Sequence, residues 1–186
     1  MGEPASRRAT YDDVLGAPEN TIAEVINGVL RLEPRPALSH ASAATLLSDE
    51  LGPFRGRRGG PGGWIILFEP ELHLDADVVV PDLAGWRRER MPRVPDEPYT
   101  TLAPDWVCEV LSKGNRKKDR AEKLPVYARA GVRFAWLLDP VERTLEVLRL
   151  ESGRYSIVAT YVDDAKVRAE PFGEVELALE GVWGDG

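Results

Sequence analysis

The chain is short of cysteine, of long apolar runs and of positive charge, and each shortage narrows what it can be. Cys108 is the single cysteine in 186 residues, so an internal disulfide is excluded. The longest strongly apolar run is WIILF, Trp64 to Phe68. A membrane helix needs roughly 20 such residues, so no membrane span is expected. The start, MGEPASRRATYDD, has no apolar stretch of the kind a secretory leader requires. With one thiol and no export signal, the expected location is cytoplasmic. The formal net charge is -7, so the average surface repels polyanions. That argues against a protein that simply coats DNA or RNA, although not against an enzyme with a local basic patch.

The remaining composition is 43% hydrophobic and 30% charged, which fits a globular chain rather than a disordered one. The length supports a single domain over residues 1–186 with a real core and is short for two. Thr10 followed by Asp13 is a helix start. In IAEVINGVLRLE two strand-like runs flank Asn27-Gly28, the dipeptide favoured in a type I′ hairpin turn. SHASAATLLSDELGPF reads as a helix with Ser39 as cap and a stop at Gly52-Pro53. RGRRGGPGG reads as a solvated loop, with Arg55, Arg57 and Arg58 close enough together to touch phosphate as the other option.

WIILF, ELHLDADVVV, DLAGW and DWVCEVL read as strands, with a bend near Asp75 to Asp77. The proline-rich stretch from Arg87 to Pro104 is long and irregular, a length often associated with function. NRKKDRAEKLPVYARAG is a helix that Pro125 either kinks or divides, ended by Gly131. RFAWLLD, TLEVLRL, RYSIVATYV, KVRAE and EVELAL follow as strands, with ESGR as a hairpin turn. The expected class is α+β or mixed α/β, with one sheet, few helices, an N-terminal hairpin and a C-terminal meander.

Two acidic residues stand out because they interrupt strand-forming sequence. Asp82 follows VVVP, and Glu109 lies between Cys108 and Val110. A buried carboxylate costs several kcal/mol unless it is paired, hydrogen-bonded or bound to a metal. Pro81 cannot donate to a ladder, so pairing should loosen at Asp82. Strand alternation puts Glu109 on one face with Val107 and Leu111, and Cys108 and Val110 on the other. Two carboxylates on neighbouring strands suit Mg²⁺, which takes one or two carboxylates and keeps water or substrate oxygens in its other positions. Such a site hydrolyses phosphate esters, with a nearby lysine to orient water or stabilise charge. Taken singly, Pro-Asp is usually a turn device and a strand glutamate usually has a basic partner on the sheet. The conjunction of Asp82, Glu109 and the basic segment Lys113 to Lys123 is more specific.

EVINGVL, His40, VVVPDLAGW, PDWVCEVLS, DRAEKLPVYARAGV and WLLDP stand in an order that resembles the PD-(D/E)XK nuclease superfamily. More narrowly, the order resembles the Uma-type family of restriction endonucleases over roughly residues 10 to 150. The resemblance implies a restriction-endonuclease-like αβββαβ core and a Mg²⁺- or Mn²⁺-dependent endonuclease acting on DNA. It implies Asp82 and Glu109 as metal-binding and catalytic acids. The superfamily's usual lysine, two residues after the second acid, is here Leu111. In the Uma-type pattern Lys123 replaces it, and Lys113 competes because an extended strand would put it on the Glu109 face. Asp119, Lys123 and Tyr127 would share a helix face if the helix runs through Pro125. The turn after Leu111 also departs from the family's Ser-Pro-Ser-Thr-like sequence and reads SKGN. Glu24 matches a further family acid, which implies a third, catalytic acid at the metal, its other reading being an exposed hairpin glutamate.

His40 is either a contact near the helix start or a site residue. His73 reads as a sheet-surface residue, Glu69 and Glu71 as edge charges, and Cys108 as core. The segment Lys113 to Lys123 and the arginines Arg87, Arg88, Arg90 and Arg93 are either solvated faces or positive rims to the acidic site. Cutting both strands of a duplex needs two active sites or two visits, so a homodimer is expected. The rival readings are an inactive nuclease-fold interaction module and a hydrolase of another phosphodiester.

Overall fold

Asn27 and Gly28 both take positive φ, 54° and 79°, and this closes the first hairpin as a type I′ turn. Its arms are β1 (Thr21–Ile26) and β2 (Val29–Pro34), paired antiparallel. The computed structural model describes residues 7–56, 59–112, 114 and 116–184. Arg57, Arg58 and Lys113 lie outside the described residues. Upstream of the hairpin, α1 (Tyr11–Leu15) starts as expected, with the Thr10 N–H donating to Asp13 Oδ2 at 2.8 Å.

The second helix, α2 (Leu38–Glu50), has Ala37 rather than Ser39 as its cap. Ala37 is the last extended residue, and its carbonyl already accepts the Ala41 N–H. Ser39 therefore sits inside the first turn. The helix stops at Leu51, and Gly52–Arg55 forms a single 3₁₀ turn.

Two main sheets follow where one was expected. The strands are β3 (Trp64–Phe68), β4 (Leu72–Leu74), β5 (Asp77–Val79), β6 (Leu83–Arg87), β7 (Trp106–Val110), β8 (Phe134–Asp139), β9 (Thr144–Glu151) and β10 (Arg154–Val162). The larger sheet has the order β10-β9-β8-β7-β6-β3, in which β7 and β8 are parallel and the other neighbours antiparallel. The smaller has the order β2-β1-β5-β4. The N-terminal hairpin is thus extended by β5 rather than standing apart. Val79 ends a strand of the small sheet and Leu83 begins one of the large sheet. Pro81, lacking an N–H, lies in the three-residue crossing between them, so Asp82 stands where the two sheets diverge.

The C-terminal segments form less strand than expected. KVRAE and EVELAL contribute only β11 (Lys166–Val167) and β12 (Leu177–Ala178), which pair with each other. The intervening chain covers the large sheet instead. Phe172 is fully buried, with its ring centroid 4.8 to 5.5 Å from those of Trp64, Trp106 and Trp136. Burying one aromatic ring of this kind contributes about 1.5–3 kcal/mol, which favours that cover over further strand pairing.

Strand alternation in β7 divides the core as expected. Trp106, Cys108 and Val110 face α2 and Phe172. Val107 and Leu111 face the small sheet and the helical segment that follows β7. Glu109 belongs to this second face.

The segment after β7 is α3 (Arg116–Lys118), a π-helical turn over Asp119–Lys123, and α4 (Leu124–Arg129). Pro125 explains the π turn. Its ring would crowd the carbonyl four residues back in a regular helix. The Leu124 N–H instead reaches the Asp119 carbonyl, five residues back. The helix therefore neither kinks freely nor restarts, but widens by one residue just before the proline.

Candidate functional site

Five parts of the chain converge on a cleft of about 360 Å³, lined by His40 of α2, Glu24 of β1, Asp82 at the sheet junction, Glu109 of β7, and Lys118, Asp119 and Lys123 of the helical segment. The Lys123 ammonium completes the group. It donates to Glu109 Oε2 at 2.9 Å and to the Val80 carbonyl at 2.9 Å, and lies 3.2 Å from Glu24 Oε1. Two of its three N–H bonds are thus committed to hydrogen bonds, and its charge is shared between Glu109 and Glu24. Tyr127, one turn on, donates its phenol O–H to Glu109 Oε1 at 2.5 Å. Lys123 and Tyr127 therefore hold one oxygen each of the same carboxylate.

Glu24 is buried, so its exposed-hairpin reading is excluded. Its Oε1 accepts the Val80 N–H at 2.8 Å and its Oε2 the Lys118 ammonium at 3.0 Å. Lys118 also donates to Glu33 at 3.1 Å. Asp82 is held differently. Its Oδ2 accepts the Val110 N–H at 2.6 Å, where β7 leaves its ladder with β6, and lies 3.4 Å from His40 Nε2. His40 is therefore a cleft residue.

Charge in the cleft is unbalanced. Its lining holds five carboxylates, Glu24, Glu33, Asp82, Glu109 and Asp119, against Arg35, Lys118 and Lys123. Burial pushes the Glu109 carboxyl well above the usual range, and Asp119 and Asp82 add to the rise while Lys123 opposes it. Burial likewise raises Asp119 to about 7, with Lys123 opposing and Asp82 and Glu24 reinforcing the rise. Burial opposes ionisation of Glu24 as well, but Lys123 and Lys118 outweigh it and hold that carboxyl low. Burial would lower Lys123, yet Glu109, Glu24 and Asp119 keep its ammonium protonated well beyond the ordinary range. Lys123 is thus a fixed positive charge, not a proton acceptor.

A divalent cation suits this donor set. A dication would relieve the mutual repulsion of these carboxyls, which Asp119 and Asp82 exert on Glu109. Asp82 and Glu109 supply hard oxygens, and each Glu109 oxygen keeps a second lone pair beyond its present hydrogen bond. Among the described residues no three His, Cys, Asp or Glu side chains form a metal cage by themselves.

Other expected contributors lie elsewhere. Arg87 is five residues beyond Asp82 along an extended strand, about 16 Å away. Arg87 stacks over Trp64, and Arg90 pairs with Asp105 at 2.8 Å at the opposite end of β7 from Glu109. These arginines and the proline-rich loop after them therefore do not rim the cleft. That loop is pinned by the Trp86 indole N–H to the Leu102 carbonyl and buries Met91. Arg116 and Arg120 are paired with Asp139 and Glu146 at 2.6 and 2.7 Å. The basic segment thus divides between structural ion pairs and the cleft. His73 is partly buried rather than a surface residue, stacked on Tyr99 with ring centroids 3.7 Å apart and 2.8 Å from Glu71. Lys118 carried no distinctive mark in the sequence, because its partner Glu24 is 94 residues away.

The architecture and cleft define a class: a restriction-endonuclease-like α+β fold with a carboxylate–lysine centre at a sheet junction. The chain belongs to the Uma2 family, described as "Putative restriction endonuclease", whose model matches residues 9–180. A crystal structure of a putative nuclease of the DUF820 group from Anabaena variabilis ATCC 29413 is similar in fold. It has a TM-score of 0.75 and 22% identity, over 94% of this chain and 97% of that one. No curated protein matches the chain.

Proposed function

We propose that this protein is a Mg²⁺- or Mn²⁺-dependent endonuclease that hydrolyses phosphodiester bonds in DNA. The observation that carries the reading is the convergence of Asp82, Glu109 and Lys123 on one cleft from a sheet junction, a strand and a helix. Asp82 and Glu109 would hold the cation, which would polarise the phosphoryl group and acidify a bound water. Lys123 and Tyr127 fix the Glu109 carboxylate from two sides. The Val110 N–H and His40 fix Asp82. Glu24 orients Lys123 and the Val80 N–H rather than standing alone. Family membership supports DNA as the substrate, and cutting both strands would call for two copies of the site.

Incubation of the purified protein with plasmid DNA and Mg²⁺ or Mn²⁺ tests the reading. The expected result is nicking or cutting that chelator stops and that Asp82→Ala and Glu109→Ala abolish without unfolding the chain. Metal-dependent activity that survives both substitutions would refute it. The five-carboxylate lining gives one reason to include RNA and small phosphodiesters in the substrate panel. Cleavage of those in preference to DNA would make the protein a hydrolase of another phosphodiester. Absence of both cation binding and cleavage would make it an inactive interaction module.

A further inference from the structure

Asp119 has no assigned task in the arrangement above, yet it is placed as though it had one. It is 2% exposed and lines the same cleft as Asp82 and Glu109. Its Oδ2 has no hydrogen-bond partner among the described residues. A buried carboxylate oxygen without a partner is costly and calls for an explanation in a native site. Position on the helix supplies part of it. Asp119 opens the π turn, and its carbonyl takes the five-residue hydrogen bond from Leu124. Such one-turn widenings occur often at functional sites because they re-aim a side chain.

Lys123 sharpens the question. Nuclease sites need a group that accepts a proton from the attacking water. The Lys123 ammonium donates to Glu109 and Val80, and its charge is paired with Glu24 3.2 Å away. Glu109 has both oxygens engaged, by Lys123 and Tyr127. Asp82 Oδ2 is engaged by Val110. We infer that Asp119, through Oδ2, is the general base that takes the proton from the attacking water. This assignment rests on the phosphodiesterase reading of the cleft.

In the step, the water oxygen forms a bond to phosphorus and the bond from phosphorus to the leaving sugar oxygen breaks. The water proton passes to Asp119 Oδ2, and the leaving oxygen takes a proton from solvent. An acceptor is most effective when it titrates near the working pH. Without a bound cation, burial brings Asp119 to about 7, against the pull of Lys123 and with Asp82 and Glu24 reinforcing, and a cation in the cleft would lower it from there. The groups around it are Lys118 and Lys123 on its own segment, Glu24 of β1, Asp82, Glu109 of β7, His40 of α2 and Tyr127 of α4.

The test compares wild type, Asp119→Asn and Asp119→Ala, with full-length protein throughout. Three quantities are read: the single-turnover DNA cleavage rate against pH, Mn²⁺ affinity by calorimetry, and the thermal midpoint. Asp119→Asn is expected to slow cleavage about 100-fold or more. Mn²⁺ affinity should change by less than about tenfold. The wild-type rate should fall at acid pH, and the Asn variant should lose the part of that fall that belongs to Asp119 while keeping any part that belongs to Glu109. Added formate should restore part of the rate of Asp119→Ala, which a merely structural role would not allow.

Asp119→Asn that folds and cuts within about threefold of wild type overturns the assignment. A loss of Mn²⁺ binding in step with the rate also overturns it, making Asp119 a ligand. If Asn does not fold, formate rescue of the Ala variant decides, and no rescue counts against the assignment. Wild-type protein that cuts no phosphodiester refutes the nuclease reading itself and this assignment with it. In the other outcomes that reading stands.

Discussion

The Lys123 ammonium lies 2.9 Å from Glu109 Oε2, although 14 residues of chain, including a strand end and a turn, separate them. The pair is buried, at 5% and 3% exposure, and Glu24 shares the same ammonium. Removing the positive member leaves two carboxylates without their main partner. Lys123→Ala is therefore expected to destabilise the fold by about 3–5 kcal/mol. Adding Glu109→Gln to the same chain should recover part of that loss, because one of the orphaned charges disappears. Urea unfolding of the single and double variants measures both, and strictly additive losses would contradict the coupling.

Tyr127 should be the more modest support. Tyr127→Phe keeps the ring in the core and removes only the hydrogen bond to Glu109 Oε1. A hydrogen bond to a charged group contributes about 1.5–3 kcal/mol, so a loss in that range is expected on urea unfolding. A variant as stable as wild type would show that water replaces the phenol.

Asp119 should make the metal-free protein less stable as pH rises. Its carboxyl moves from an ordinary value of 3.8 to about 7 on folding because burial disfavours the charge. The folded state then binds this proton more tightly than the unfolded chain between those values. Its contribution is most favourable below about 4 and is lost as pH rises through about 7. Asp119→Asn should therefore stabilise the protein at pH 8, on the order of a few kcal/mol, and much less at pH 4. Thermal midpoints across this range, with chelator present, check the sign.

A divalent cation should stabilise the fold by offsetting the excess carboxylate charge of the cleft. At a concentration about 100 times its dissociation constant, Mn²⁺ should add about 2.7 kcal/mol to stability. The gain should vanish in Asp82→Ala, which removes one proposed ligand and leaves Lys123 and Glu109 paired. Thermal shifts with and without Mn²⁺ give the answer, and an equal shift in the variant would place the ion elsewhere.

Much of the fold was legible because local chemistry governs it. Asn27-Gly28 fixes its hairpin through positive φ, and Thr10 and Asp13 cap their helix within three residues. The alternation around Glu109 follows from the period of a strand, and it divided the residues correctly between two faces that are both buried. Ser39 misled because capping depends on where the backbone turns, and that happens at Ala37. The arginines after Asp82 were open between a rim and a solvated face, and their place was undecided for a related reason. Adjacency in sequence along an extended strand is distance in space, so they end up beside Asp105. The strands expected at the C-terminus gave way to Phe172, whose burial among three tryptophans depends on a surface that exists only after the sheet has formed.

The sequence by itself determined which carboxylates interrupt apolar strands, that Pro81 would break the ladder beside Asp82, and that Asp119, Lys123 and Tyr127 follow one another at turn spacing. Periodicity and the missing proline donor are local properties, readable along the chain. Only the tertiary structure decided what those groups meet. Lys123 reaches Glu109 and Glu24 because the π turn before Pro125 lays the helix against the junction of two sheets. Lys118 finds Glu24, and His40 finds Asp82, across 94 and 42 residues of chain. Charge compensation in a buried cleft is a property of three-dimensional neighbours, and sequence spacing carries no information about it until the chain has folded.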